Sequence, residues 1–138
     1  MTRCLIALIL SGAVVAGPAM AADEVSRTFD APVDRLWAVT EAVLKQLGWE
    51  IDQADRTIGW ITTDSRMVEG EDYGVYAKGI RHRLRLIIKD AGPGKTRVTV
   101  ERSLFTRERI LFVESDKSLS TPDRSVEQSI LAAIAKGL

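Results

Sequence analysis

Thiol and imidazole are nearly absent from this chain. Among 138 residues there is one cysteine, Cys4, and one histidine, His82. That excludes a disulfide scaffold and nearly every Cys/His zinc site. An excess of either charge is also missing. Lys+Arg and Asp+Glu both number 19, which excludes a globally basic nucleic-acid binder and an acidic tail protein. No internal repeat or low-complexity segment occurs. What is present is a 46% apolar and 28% charged composition, enough for a packed core rather than global disorder. The length suits one domain.

One long apolar run stands out, at the start. Met1-Thr2-Arg3 is basic, Cys4 through Ala16 is apolar, Gly17-Pro18 breaks the run, and Ala19-Met20-Ala21 has the A-x-A form of a cleavage site. These are the three regions of a secretory signal peptide. The run is too short for a retained span, which needs roughly 20 residues. Cleavage after Ala21 is expected to leave residues 22–138 as a single domain in the periplasm, with no transmembrane segment and no thiol. Cys4 precedes most of the apolar run, whereas a lipoprotein signal places its cysteine after it. A lipid anchor is therefore not expected.

Hydrophobic periodicity organises the remainder. Val25–Asp30 reads as a strand. Ala31-Pro32 opens a helix in which Val33, Leu36, Trp37, Thr40, Val43, Leu44 and Leu47 share one face, ended by Gly48. Trp49–Gln53 and Thr57–Thr63 read as a hairpin around Ala54-Asp55-Arg56, with Gly59 marking a bulge or a close backbone approach. Residues 64–78 lack a sustained period and read as a mobile loop with a short edge strand at Val75–Ala77.

The strongest pattern follows. Ile80, His82, Leu84, Leu86 and Ile88 alternate with Arg81, Arg83, Arg85, Ile87 and Lys89. After Ala91-Gly92-Pro93-Gly94, Val98, Val100 and Leu104 alternate with Arg97, Thr99, Glu101 and Ser103. This predicts a long antiparallel hairpin over Gly79–Asp90 and Lys95–Thr106, with one buried and one wet face. Arg109–Glu114 extends a strand or forms a short turn of helix, and Ser115–Ser120 reads as a polar connection. A last helix starts at Thr121-Pro122, with Thr121 as N-cap, and carries Val126, Ile130, Ala133 and Ile134 as its apolar stripe.

The expected fold is α+β: an antiparallel β-sheet with two helices packed on one face, in the order β-α-β(4–5)-α. Four segments carry a resemblance. FDAPVDRLWAVTEAVLKQLGWEI, DRTIGWITTD, the RLRLII…TRVTVE hairpin and the SVEQSILAAI helix together resemble the domains of BamC/NlpB-type envelope lipoproteins. The A-P-x-x-x-x-W opening is also similar to START and polyketide-cyclase-like domains. The resemblance implies a helix-grip layout and a place in the cell envelope.

Chemistry is sparse. His82 falls on the apolar face with no nucleophile at hand and reads as a core or rim histidine. Glu69, Glu71 and Asp72 do not have calcium-loop spacing, so no metal site is expected. Gly92 and Gly94 flank Pro93 in a turn that does not precede a helix, so they are no phosphate cradle. The remaining signal is the wet face, where Arg81, Arg83, Arg85 and Arg97 point the same way. Guanidinium groups in that pattern suit carboxylate and phosphate oxygens. Tyr73 and Tyr76, from the adjoining loop, complete the candidate binding residues. The expected protein is a non-enzymatic module without cofactor, holding an envelope protein or an anionic lipid or glycan. The alternative is a carrier of a small apolar ligand in a cavity beneath the helices, closed by the 64–78 loop.

Overall fold

The computed structural model describes residues 24–120 and 123–138. The leader expected over residues 1–21 and the helix start expected at Thr121-Pro122 lie outside them. Nine elements follow in order: β1 Glu24–Phe29, α1 Val33–Gln46, β2 Ile51–Asp55, β3 Trp60–Thr63, β4 Arg66–Asp72, β5 Tyr76–Gly92, β6 Lys95–Ile110, β7 Val113–Leu119 and α2 Ser125–Gly137. All seven strands join one antiparallel sheet.

The β5–β6 hairpin organises that sheet. Its arms have 17 and 16 residues, so each is about 55 Å long at roughly 3.3 Å per residue. This exceeds the expected Gly79–Asp90 and Lys95–Thr106 at the end away from the turn. Each arm is flanked by two short partners in series. β5 pairs β3 through Arg85–Ile87 and β4 through Ala77–His82. β6 pairs β1 through Thr96–Glu101 and β7 through Leu104–Ile110. Where β3 gives way to β4, the Leu84 N–H donates to Thr63 Oγ1 at 3.0 Å, so a side chain bridges the break in the ladder.

The core lies at one end. Leu36, Trp37 and Leu44 of α1 and Ile130, Leu131 and Ile134 of α2 share a buried cluster with Phe29, Ile61, Leu84, Leu86, Ile88, Val98 and Val100. Both helices present their apolar stripe there, as the 3.6-residue period requires. Burying a side chain such as Leu84 contributes about 1.5–3 kcal/mol. Thr96 Oγ1 donates to the Ala31 carbonyl at 2.7 Å and ties the β1–α1 connection to β6.

Three expectations are corrected. The helix-grip layout of four or five strands with two helices across the sheet face does not hold. The described chain is mainly antiparallel sheet, 54% strand against 24% helix, in seven strands. Neither helix makes substantial contact with β4 or β7, so the far half of the hairpin has no helical layer. The loop expected over 64–78 is largely strand β4 and the start of β5, paired from Arg66↔His82 to Asp72↔Ala77. It runs out along the hairpin, not over a gap beside the helices. The connection expected over Ser115–Ser120 is the body of β7. β6 itself continues to Ile110, and the chain reverses at Leu111-Phe112.

The turn between β2 and β3 also shifts toward the C-terminus. Asp55 Oδ1 accepts the N–H groups of Thr57 and Ile58, at 2.9 and 3.4 Å. This Asx-type closure places the reversal at residues 56–59, with Gly59 at φ +75°. Gly59 is indeed a point of close approach, since its carbonyl accepts the Ile88 N–H at 2.8 Å.

Candidate functional site

Strand register assigns the arginines to faces. Across β5–β6, Arg81 stands opposite Phe105, Arg83 opposite Ser103, Arg85 opposite Glu101 and Lys89 opposite Arg97. Leu84 and Leu86, the alternate residues, are fully buried. Arg81, Arg83, Arg85 and Arg97 therefore do share the face away from the helices. They do not share one site. Arg97 lies toward the β5–β6 turn, where it donates to Ser26 Oγ at 3.0 Å. Arg81 donates to Ser65 Oγ and the Ser65 carbonyl, at 2.9 and 2.8 Å. Arg85 is ion-paired with Glu101, its Nε 2.6 Å from Oε2, and lies over the Trp60 ring.

Arg83 differs from these three. Its guanidinium makes no hydrogen bond among the described residues, whereas each of theirs is taken up by a serine or a glutamate. Its guanidinium lies 5.0 Å from the centroid of the Phe105 ring, and the Arg107 guanidinium lies 5.4 Å from the same centroid. Phe105 is only 4% exposed, yet it is outside the cluster beneath the helices. Two guanidinium groups thus lie near one ring, an arrangement favoured by the ring quadrupole. Arg107 is held in a two-point pair by Asp116 of β7, at 2.8 and 2.9 Å. Asp116 consequently has its carboxyl pKa lowered, first by the Arg107 hydrogen bond and further by the charges of Arg107, Arg83 and Arg81.

A half-open groove of about 380 Å³ is lined by Thr62, Arg83, Arg85, Glu101, Ser103, Phe105, Asp116 and Ser118, among others. It offers one guanidinium with no hydrogen-bonded acid, hydroxyl groups from Ser103 and Ser118, and an aromatic floor. That combination can receive a carboxylate or phosphate group.

The tyrosines are elsewhere. Tyr73 is in the β4–β5 turn, where its hydroxyl donates to Glu71 Oε2 at 2.8 Å. Tyr76 stands opposite Ile110 on the other face and lines a second depression with Glu69, Ile80 and Thr106. Neither is brought to the arginines. The sequence reading missed Phe105, Arg107 and Asp116. Phe105 did leave a signal, because it breaks the alternation that Val98, Val100 and Leu104 set up.

His82 occupies the rim of the core. Its ring is 4.7 Å from that of Trp49, and its Nδ1 is 3.4 Å from Arg102 Nη1. Arg102 in turn donates to Glu127 Oε1 at 2.9 Å and to the Asp123 carbonyl at 3.0 Å. Burial lowers the His82 pKa, and the charges of Arg102 and Arg66 lower it further. The ring is therefore held neutral in the fold, while the unfolded chain binds a proton below its ordinary value near 6.5. Stability from this group is fully present above about pH 6.5 and is lost as pH falls from there through the lower folded value. Urea unfolding of His82→Gln should accordingly show a weaker loss of stability than wild type between neutral and mildly acidic pH. Identical pH profiles would refute this.

Among the described residues no group of three His, Cys, Asp or Glu is placed to hold a metal ion, and no helix is long and apolar enough to cross a membrane. No family model and no curated protein matches this chain.

Proposed function

We propose that the protein is a non-enzymatic binding module of the bacterial cell envelope, acting in the periplasm. It holds a partner that presents carboxylate or phosphate groups, and the Arg83 groove is the point of contact. The observation that carries this reading is Arg83 itself, stacked on Phe105 and lacking the hydrogen-bonded acid that Arg85 and Arg107 have. The envelope setting rests on the leader-like first 21 residues and on the resemblance to BamC-type domains. The cationic surroundings of His82 support a role without proton transfer, because they oppose the protonation that a general base must undergo. The carrier alternative needs space between helices and sheet. Leu36, Leu44, Leu84, Leu86, Val98, Val100, Ile130 and Ile134 share one buried cluster there, which supports packing between helices and sheet over a ligand cavity.

Titration calorimetry with polyphosphate tests the groove. Binding should be detectable at low salt and weaken as salt screens the exposed charges. Arg83→Glu should lower the affinity about tenfold or more, the loss expected for one charge-assisted hydrogen bond. Its melting temperature should fall only slightly, because the exposed side chain forms no hydrogen-bonded ion pair and gives up only its place over Phe105 and its attraction to Asp116. Equal affinity of variant and wild type would reject the groove.

A further inference from the structure

We propose that the far end of the sheet is a lipid-docking tip, whose β4–β5 and β6–β7 turns enter the surface of an acidic phospholipid bilayer while cations behind them meet headgroup phosphates. This reading is independent of the Arg83 groove. The two turns are neighbours, since β4 and β7 flank the same end of the long hairpin. Residues 73–77 and 110–113, YGVYA and ILFV, contain no charge. Tyr73, Val75, Ile110, Leu111 and Val113 are exposed there, and Phe112 is 99% exposed. A contiguous apolar surface of this kind marks an interaction site. Leu111 adopts φ 56°, a left-handed conformation that glycine would enter more easily. An apolar side chain is thus present where the backbone disfavours one.

Three features favour a bilayer over a protein partner or a second copy. Several N–H groups of the two turns are paired within the tip itself. The Leu111 N–H donates to the Val75 carbonyl at 2.7 Å, Tyr73 N–H to the Tyr76 carbonyl at 2.8 Å, and Gly74 N–H to Asp72 Oδ1 at 2.8 Å. Internal pairing of this kind lowers the cost of entering a medium without water. Tyrosines sit at its margin, where their polar ends suit an interface. Directly behind, on the arginine face, is a depression of about 250 Å³ whose lining includes Arg81, Arg107 and Arg109 with Asp72 and Glu114. Arg109 is paired there with Asp72 and Arg107 with Asp116, whereas Arg81 donates only to Ser65, so one guanidinium has no acid and suits a phosphate. At roughly 3.3 Å per residue, Arg109 and Arg107 lie about 3 and 10 Å behind Ile110. The headgroup layer, roughly 5–8 Å thick, falls between those depths.

Co-sedimentation with vesicles of phosphatidylcholine and phosphatidylglycerol at low salt is the test. Wild type should bind the mixed vesicles, and bind pure phosphatidylcholine less well. Phe112→Asp should reduce partitioning about tenfold or more, since one buried phenylalanine accounts for that much. Its melting temperature should stay unchanged, because the ring is almost wholly in solvent. Phe112→Trp should bind as wild type does, with added fluorescence that shifts to the blue and is quenched by brominated acyl chains. Arg83→Glu should keep most vesicle binding, which separates this tip from the groove. The proposal is overturned if wild type ignores the mixed vesicles, if Phe112→Asp binds them equally, or if the added tryptophan stays in water. It is equally overturned if Phe112 instead supports a dimer in the absence of lipid.

Discussion

Replacing Arg102 by methionine is expected to cost about 3–5 kcal/mol of folding stability, the usual penalty for stranding one partner of a buried ion pair. The Arg102 and Glu127 side chains are only 9% and 1% exposed. Arg102 also donates to the Asp123 carbonyl just before α2, so its fork fixes the start of that helix to the far side of the core. Removing the guanidinium leaves a carboxylate sealed in apolar surroundings with neither counter-charge nor donor. Replacing both residues, Arg102→Met with Glu127→Leu, should recover most of the loss, because the expense lies in the stranded charge rather than in the missing attraction. Urea unfolding of the two single variants and the double variant measures the coupling directly. Additive losses in the double variant would show that the pair is not acting as a unit.

Gly59→Ala is expected to cost about 2–3 kcal/mol, or a fall in melting temperature of roughly 10 °C for a domain of this size. Two penalties combine. The residue holds φ +75°, which a β-carbon makes unfavourable by about 1–2 kcal/mol. A β-carbon there would also fall 2.3 Å from the Ile88 carbonyl oxygen, a backbone atom that cannot swing aside. Relief requires shifting β5, which loosens the 2.8 Å bond from Ile88 N–H to the Gly59 carbonyl. Gly94→Ala separates the two penalties. Gly94 has φ +66° but open space around it, so only the backbone conformation is charged and the loss should stop at about 1–2 kcal/mol. Equal losses at the two sites, read by thermal unfolding, would show that the contact with Ile88 contributes nothing.

The parts of this fold that could be read from sequence are those where one face of an element is covered. Leu84 to Ile88 and Val98 to Val100 alternate because helices lie against half of their side chains; α1 shows its 3.6-residue period for the same reason. β4 and β7 carry no such record. Every residue in both is exposed, so burial imposes no spacing, and Gly70 with its acidic neighbours reads as irregular chain. Their strand state comes from register along a distant hairpin, through pairs such as Arg66↔His82 and Leu104↔Leu119, which local propensity does not encode. The helix-grip expectation failed for this reason, since it assigned the unpatterned stretches to loops. The candidate site was half legible. Alternation put Arg81, Arg83 and Arg85 on one face, but which arginine lacks an acid depends on Glu101 and Asp116, and β7 had to be seen as a strand before Asp116 could count.

The overhang of the long hairpin divides the labour within one domain. Substitutions under the helices must preserve volume, because each changes a filled interior. Along the bare blade, the buried Phe105 ring apart, they need chiefly preserve pairing, since every side chain of β4 and β7 is exposed. What the blade touches can thus be altered residue by residue while the cluster beneath the helices stays intact, so that one scaffold can be retuned to new surfaces.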